Sequence, residues 1–222
     1  MSARLLATLC LVCSCVPVSS AQSAASPDAG LVVYLRTGGN QPPAPLAQMK
    51  RELSAIMHQA GYRVEWRSLD QQRGADADAP LLAVLELTGV CGLSPGHSES
   101  ETAAASSSLA TTTITDGQVL PFSRLNCTAL TRTVFSVLAK DAGAKRDFLY
   151  GRAMARVVAH ELYHVLMRTT EHARAGVARS CFSTSDLLTE RFEFEGATLA
   201  RLRRSQDPPA EISAAGDDAT DR

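Results

Sequence analysis

Val-Val-Ala-His-Glu-Leu-Tyr-His-Val-Leu-Met, residues 157–167, is the segment on which the interpretation of this chain depends. Its apolar residues recur at helical spacing, which is typical of a helix packed against a core. His160 and His164 are four positions apart, so they lie about 5.4 Å apart along one face of such a helix. Two imidazoles at that spacing can bind one cation together. The segment therefore predicts a buried helix that carries a metal site.

The residue after the first histidine favours hydrolytic chemistry at that site. Zinc binds neutral imidazole nitrogen, and catalytic zinc sites leave one coordination position for water. The Glu161 carboxylate would lie beside the ion, where it can accept a proton from water that the ion has acidified. The pattern predicts a zinc-dependent peptidase that hydrolyses peptides or proteins, with Glu161 as the general base. The alternative is a solvated helix face that carries these residues by coincidence.

A third protein ligand is expected downstream of the helix. Residues 168–171 are polar and predict that the helix ends and the chain turns back. His172, eight residues after His164, is then the favoured third ligand. A carboxylate from the next helix, Glu190 or Glu193, is the competing choice, and the spacing alone leaves both possibilities open.

Working outward from this helix, the sequence predicts an α+β domain over residues 31–204, in which helices pack against a sheet. β-Branched and aromatic runs predict strands, and Asp116-Gly117 predicts a tight turn between the last two of them. The expected strands are residues 31–36, 62–66, 81–90, 109–114 and 119–125. Helical spacing predicts residues 46–60, residues 130–138, a helix that begins at Asp147 as its N-cap and contains both histidines, and residues 185–203.

The two ends of the chain predict export and a disordered tail. Arg4, the apolar residues 5–18 and the small residues up to Ala21 are typical of a signal peptide cleaved after Ala21, and an uncleaved membrane anchor is the alternative. Residues 22–30 are expected to form a flexible leader, and the polar, acidic residues 205–222 a disordered tail. We therefore expect a monomeric periplasmic or extracellular protein with no stable membrane insertion after cleavage.

The charge balance argues against one class of partner. The chain has 22 Lys and Arg against 23 Asp and Glu, a formal net charge of −1. A nucleic-acid-binding domain carries a basic patch that neutralises phosphates, and no such patch is evident in the sequence. We expect a peptide or protein substrate and no nucleic acid.

The cysteines predict one disulfide. Three of the six cysteines lie in the expected signal peptide, which leaves Cys91, Cys127 and Cys181. An odd number in an oxidising compartment is typical of one disulfide and one free thiol. We favour the pair Cys91–Cys127 because both lie at the ends of predicted strands, although the sequence does not fix the pairing.

The segment from residue 156 to residue 179 resembles a group of short exported bacterial zincin-like metallopeptidases of metzincin-type character. Their pattern is HExxH, a glycine that ends the helix, a third histidine, and a Gly-apolar-Met-Arg turn. Arg168 stands where that pattern has the glycine, and Ala178 stands where it has the methionine. The upstream residues 119–122 also resemble the corresponding hairpin strand. The matching positions are His160, Glu161, His164, His172, Gly176, Val177 and Arg179.

The resemblance implies a small zincin-like domain whose mixed sheet has an edge hairpin beside the active-site helix. Zincin-type peptidases bind an extended substrate along an edge strand. In this chain the resemblance assigns that strand to Leu109, Ala110, Thr111, Thr112, Thr113 and Ile114, and an ordinary surface hairpin is the alternative. Tyr150, Tyr163 and Arg179 are further candidates to stabilise an oxyanion.

A second hypothesis belongs to another functional class. The chain would be a non-catalytic exported binding module whose metal is structural or vestigial. Arg168 and Ala178 favour this hypothesis because both depart from the pattern of the active family. The two hypotheses differ in the role of Glu161, which only a hydrolase requires.

Overall fold

The computed structural model describes residues 28–69, 81–93 and 108–206. The predicted signal peptide, most of the predicted leader, the polar segments before Leu81 and before Ser108, and most of the predicted tail lie outside these residues. Among the described residues, no helix is long and apolar enough to cross a membrane.

The described strands form one mixed sheet. Its five strands are β1 (Ala29–Thr37), β2 (Tyr62–Ser68), β3 (Leu82–Thr88), β4 (Ala110–Thr115) and β5 (Gln118–Asn126). They lie in the order β2-β1-β3-β5-β4. The first four strands in that order are mutually parallel, and β4 pairs antiparallel with β5 at one edge. All five strands were predicted from the sequence, with ends that differ by at most two residues.

The hairpin at this edge has the predicted turn and an irregular ladder. Asp116 and Gly117 both have positive φ, 51° and 75°, as a two-residue hairpin turn requires. Thr112 pairs with Ser123, but Ile114 pairs with Val119, so residues 120–122 of β5 lie opposite a single residue of β4. Pro121 lies in this irregular stretch, where its missing N–H costs no regular ladder hydrogen bond.

Five helices accompany the sheet in the described residues. They are α1 (Pro43–Gln59), α2 (Cys127–Leu138), α3 (Gly143–Met167), α4 (Thr184–Leu188) and α5 (Gly196–Arg204). Together with the mixed sheet they make the α+β arrangement that the sequence predicts.

The core surrounds α3, which is buried at almost every residue from Tyr150 to His164. α1 contributes Met49 and Leu53, and the sheet contributes side chains such as Leu85; all three are fully or almost fully buried. Gly151 lets α1 and α3 approach closely, because a Cβ there would lie 2.5 Å from the carbonyl oxygen of Pro45. Polar groups on the middle of α3 are consequently removed from water.

The predicted start of α3 is wrong. The helix begins at Gly143, with Ala142 as an extended N-cap that makes no side-chain hydrogen bond, and Asp147 lies inside the helix. Gly143 has a φ of +56°, which glycine tolerates without strain. The chain therefore turns sharply after α2, and the N-cap of α3 lies five residues earlier than predicted.

The predicted helix over residues 185–203 is also wrong, because two helices occupy this region. α4 ends at Leu188 and α5 begins at Gly196. Thr189 is extended, with a ψ of 161°. Its carbonyl accepts hydrogen bonds from Arg152 (3.1 Å) and Arg156 (2.6 Å) instead of from a following helical turn. Arginines from α3 therefore stabilise the break.

Two predicted boundaries at the ends of the domain shift. β1 begins at Ala29, within the segment predicted as a flexible leader. At the other end, Ser205 and Gln206 belong to the folded domain rather than to the disordered tail. Ser205 Oγ lies 3.0 Å from the hydroxyl oxygen of Tyr62, and Gln206 Nε2 donates to the carbonyl of Ala60 at 2.8 Å.

The predicted disulfide Cys91–Cys127 is confirmed. It joins the segment after β3 to the first residue of α2. Cys181 is a free, exposed cysteine, as the odd number of cysteines predicts.

Candidate metal centre

Three histidine rings converge between α3 and the segment that follows it. The ring centroids of His160 and His164 are 4.7 Å apart, those of His160 and His172 are 5.1 Å apart, and those of His164 and His172 are 4.8 Å apart. One nitrogen of each ring lies within 4.8 Å of the others. His160 and His164 are buried, and His172 is exposed. The three side chains lie close enough to hold one metal ion.

Backbone carbonyls fix the tautomers of the two buried histidines. His160 Nδ1 lies 2.9 Å from the carbonyl oxygen of Val177, and His164 Nδ1 lies 2.7 Å from that of Thr169. A carbonyl oxygen only accepts hydrogen bonds, so each Nδ1 must carry the proton. Each Nε2 then presents a lone pair, which is the form of imidazole that binds a metal.

The two lone pairs point at each other. His160 Nε2 and His164 Nε2 are 3.1 Å apart, with no proton to place between them while both rings are neutral. Two nitrogens bonded to one tetrahedral zinc ion would lie about 3.3 Å apart. The arrangement is unfavourable without a shared cation and is close to the spacing that a shared zinc ion requires, so these residues fit the ion.

Burial disfavours a proton as that shared cation. Burial lowers the pKa of His160 to about 4. The neighbouring rings of His164 and His172 lower this pKa further, and the hydrogen bond to Val177 opposes both effects. Burial also lowers the pKa of His164, and the hydrogen bond to the Thr169 carbonyl opposes this effect. Both rings are therefore neutral at pH 7 and available as ligands.

The segment after α3 is placed by two unusual backbone positions. Arg168 ends the helix in the left-handed conformation, with φ 47° and ψ 43°, and the following residue, Thr169, then directs its carbonyl to His164. Gly176 has a φ of +68°, and a Cβ there would lie 2.3 Å from the carbonyl oxygen of Glu193. Val177 N donates to that same carbonyl at 3.1 Å, which anchors the residue whose own carbonyl accepts from His160.

Glu161 lies beside the histidines but outside their triangle. Its side chain is buried, and Thr112 Oγ1 of β4 donates to its Oε2 at 2.6 Å. Burial raises the pKa of the Glu161 carboxyl above its ordinary value, and the hydrogen bond from Thr112 opposes this effect. A buried carboxylate near a metal ion but not bonded to it can take up and release a proton.

A cleft of about 360 Å³ opens onto this group of residues. Its walls come from the end of α3, from the segment after α3 and from the edge strand β4. The residues that line it include His160, Glu161, His164, His172, Ala110, Thr111, Thr112 and Ile114. The predicted edge strand and the predicted ligands thus face one cavity, although Leu109 precedes the observed start of β4.

The alternative ligands and the oxyanion candidates do not line the cleft. Among the described residues, the three histidines form the group with metal-binding spacing, and neither Glu190 nor Glu193 belongs to it. The Tyr150 hydroxyl lies 3.1 Å from the carbonyl oxygen of Cys127 and is fully buried. Tyr163 is buried in the core, and Arg179 binds the Cys181 carbonyl and the Asp186 carboxylate. The contacts of Tyr150 and Arg179 give these two side chains structural roles.

Sequence reasoning missed the groups that support the histidines and Glu161. Val177 and Thr169 act through their carbonyls, which no side-chain pattern reveals. Thr112 was predicted only as part of an edge strand. Ser123, which pairs with Thr112, could have been noticed from the sequence. It lies two positions before the buried Leu125 in the same strand, so strand alternation places this serine on the buried face of the sheet.

Comparison of the chain with protein-family models, curated proteins and solved structures finds no match.

Proposed function

We propose that this protein is an exported zinc-dependent metallopeptidase of the zincin type. The observation that carries the proposal is the convergence of two neutral imidazole lone pairs, 3.1 Å apart, beside a buried carboxylate that the histidines do not need. A structural metal site requires ligands only. The additional buried acid, directed at the same cleft, supports hydrolysis.

In the proposed reaction, the histidines and Glu161 have separate roles. His160 and His164 would hold zinc through Nε2, and His172 would supply the third nitrogen. When bound, zinc acidifies a water molecule and polarises the carbonyl of the substrate. Glu161 Oε2 stays with Thr112, while Oε1 accepts the proton from the attacking water and returns it to the amine that leaves.

The edge strand supplies a place for the substrate. Among the described residues, β4 pairs with β5 alone, so one side of its backbone lacks a strand partner. Asn126 N donates to Leu109 O, which makes these two residues a hydrogen-bonded pair of the antiparallel ladder. By alternation, Ala110 and Thr112 direct their N–H and C=O groups away from β5. An extended peptide can add to this edge by strand pairing.

Metal content and one carboxylate substitution test the proposal. The purified chain is expected to bind about one equivalent of zinc, because three histidines form a single site. Glu161→Gln should keep the zinc and lose about 10²–10⁴-fold in the rate of peptide hydrolysis, since it removes only proton transfer. His160→Ala should lose the zinc. The measurements are elemental analysis and hydrolysis of an unstructured peptide mixture followed by mass spectrometry.

The same experiment addresses a non-catalytic binding module. Arg168 and the buried Ala178 favour this second candidate, because both depart from the pattern of the catalytic family. Under it, zinc is structural: His160→Ala destabilises the fold, and Glu161→Gln changes nothing that the protein does. A wild-type chain that holds zinc but cleaves no peptide would decide for this candidate.

A further inference from the structure

Two hydroxyl groups connect the edge strand with Glu161. Thr112 of β4 and Ser123 of β5 are directly opposite in the antiparallel ladder, and their side-chain oxygens are 3.0 Å apart. Thr112 Oγ1 also lies 2.6 Å from Glu161 Oε2 and 3.4 Å from the backbone carbonyl oxygen of Glu161. Ser123 is 5% exposed. The pair therefore bridges the sheet and the helix α3, and Thr112 lines the cleft.

The direction of these hydrogen bonds follows from the number of protons. Thr112 has one hydroxyl proton, and the 2.6 Å distance to a carboxylate oxygen marks the stronger acceptor. Thr112 therefore donates to Glu161 Oε2, and its oxygen accepts the proton of Ser123 at 3.0 Å. The chain runs Ser123 to Thr112 to Glu161, and every hydroxyl proton in it has an acceptor.

The position of Thr112 gives the contact a second consequence. Its side chain faces Glu161, while its backbone N–H and C=O point to the open side of β4, where a peptide would pair. One residue thus contacts both the general base and the strand that the substrate extends. A peptide paired at Thr112 is placed relative to Glu161 without any contact of its own to the carboxylate.

We propose that Thr112, supported by Ser123, is a positioning residue that holds the Glu161 carboxylate and ties it to the substrate-binding edge. This inference rests on the proposed peptidase function. The simpler explanation is that the two hydroxyls form an ordinary cross-strand pair that stabilises the sheet. The two explanations differ in what happens to turnover when zinc content and folding are unchanged.

Isosteric substitutions of Thr112 test the inference. Thr112→Val keeps the shape and removes the hydroxyl, and kcat should fall about ten- to a hundredfold because a misplaced base reacts poorly. KM and zinc content should stay within about twofold, since neither the strand backbone nor the ligands change. Thr112→Ser should restore most of kcat. Ser123→Ala should lower kcat less than Thr112→Val, because it removes only the supporting hydrogen bond.

Thr88→Val is the matched control. Thr88 Oγ1 donates to the carbonyl of Leu125 at 3.2 Å, so its replacement also removes a hydroxyl bond between neighbouring strands of the same sheet. It should leave kcat unchanged. Equal losses of kcat in Thr88→Val and Thr112→Val, or an unchanged kcat in Thr112→Val, would overturn the inference.

A double-mutant cycle provides a readout that does not depend on turnover. In the purified full chain, Thr112→Val should change the equilibrium constant of unfolding at least about threefold more in the wild-type background than in the Glu161→Ala background. An absence of this coupling overturns the inference even if the peptidase is active. Coupling in a chain that cleaves no peptide would overturn the proposed function and support the positioning of Glu161.

Discussion

Arg168 is strained at the point where α3 ends. It occupies the left-handed conformation, with φ 47°, in which a side chain crowds its own backbone and glycine does not. The cap satisfies two orphan carbonyls, because Arg168 N donates to Val165 O at 3.3 Å and Thr169 N donates to His164 O at 3.2 Å. The carbonyl of Thr169 then accepts from His164 Nδ1. The strained conformation of Arg168 therefore helps to orient His164, a proposed zinc ligand.

Replacing Arg168 with glycine should relieve the strain without moving the turn. We expect Arg168→Gly to raise the free energy of unfolding by about 0.5–1 kcal/mol, the difference between the cost of a left-handed side-chain residue and the extra freedom of glycine when unfolded. Arg168→Ala is the control, since alanine keeps the Cβ and should bring no gain. Urea denaturation of the three proteins measures the effect, and a stabilised alanine variant would show that the arginine side chain, not the backbone, is at fault.

The histidine pair and Glu161 could be predicted because helix geometry is local. Residues four apart lie on the same face of any helix, so the spacing of His160 and His164 is enough to predict that their side chains lie close together. The carbonyls that fix their tautomers could not be predicted in the same way. They depend on where the chain returns after Arg168, and that path depends on the close approach of Gly176 to the backbone of Glu193.

At the scale of elements, α3 organises the segment between α4 and α5 through arginines. The Arg156 side chain is 1% exposed. It donates to the carbonyls of Asp186 and Thr189, both at 2.6 Å, and lies 3.7 Å from the Glu52 carboxylate of α1. Burial lowers the pKa of Arg156 to about 10, so the guanidinium is still charged at pH 7. Together with Arg152, this buried cation donates to the Thr189 carbonyl in place of a following helical turn.

Loss of this cation should be costly. Arg156→Met keeps most of the apolar stem but removes the arginine donor of the Asp186 carbonyl and one of the two arginine donors of the Thr189 carbonyl, and it weakens the pairing of Glu52, so we expect a loss of about 2–3 kcal/mol in the free energy of unfolding. Arg174→Met is the control, because Arg174 is exposed. Guanidinium chloride denaturation distinguishes them. Losses below about 1 kcal/mol in both variants would mean that the segment between α4 and α5 does not depend on Arg156.

The same arginine explains why the helix boundaries were harder to predict than the strands. β1 and β3 are recognisable in the sequence as apolar runs, and the adjacent residues Asp116 and Gly117 determine the hairpin turn. Residues 185–203, in contrast, have adequate helical spacing throughout. At the break, the Thr189 carbonyl accepts from Arg152 and Arg156, which lie 37 and 33 positions away in sequence, and a single-sequence pattern does not reveal such partners.

At the scale of the whole molecule, the disulfide closes the part of the chain that contains the edge strand. Cys91 follows β3, Cys127 begins α2, and 36 positions separate them. Both β4 and β5 lie within this closed loop, and β4 pairs with β5 and contacts α3. The cross-link thus restrains the region whose Thr112 reaches Glu161, in the unfolded chain as well as in the folded one.

Removing the cross-link should therefore destabilise the whole domain rather than one strand. For a loop of this length, the chain-entropy argument gives a loss of about 3–4 kcal/mol in the free energy of unfolding for Cys91→Ala combined with Cys127→Ala. Cys181→Ala is the matched control and should lose little, because this cysteine is free and exposed. Reductant should lower the unfolding midpoint of the wild type and leave that of the double variant unchanged. If reductant shifts both midpoints equally, the stabilisation comes from something other than the bond between Cys91 and Cys127.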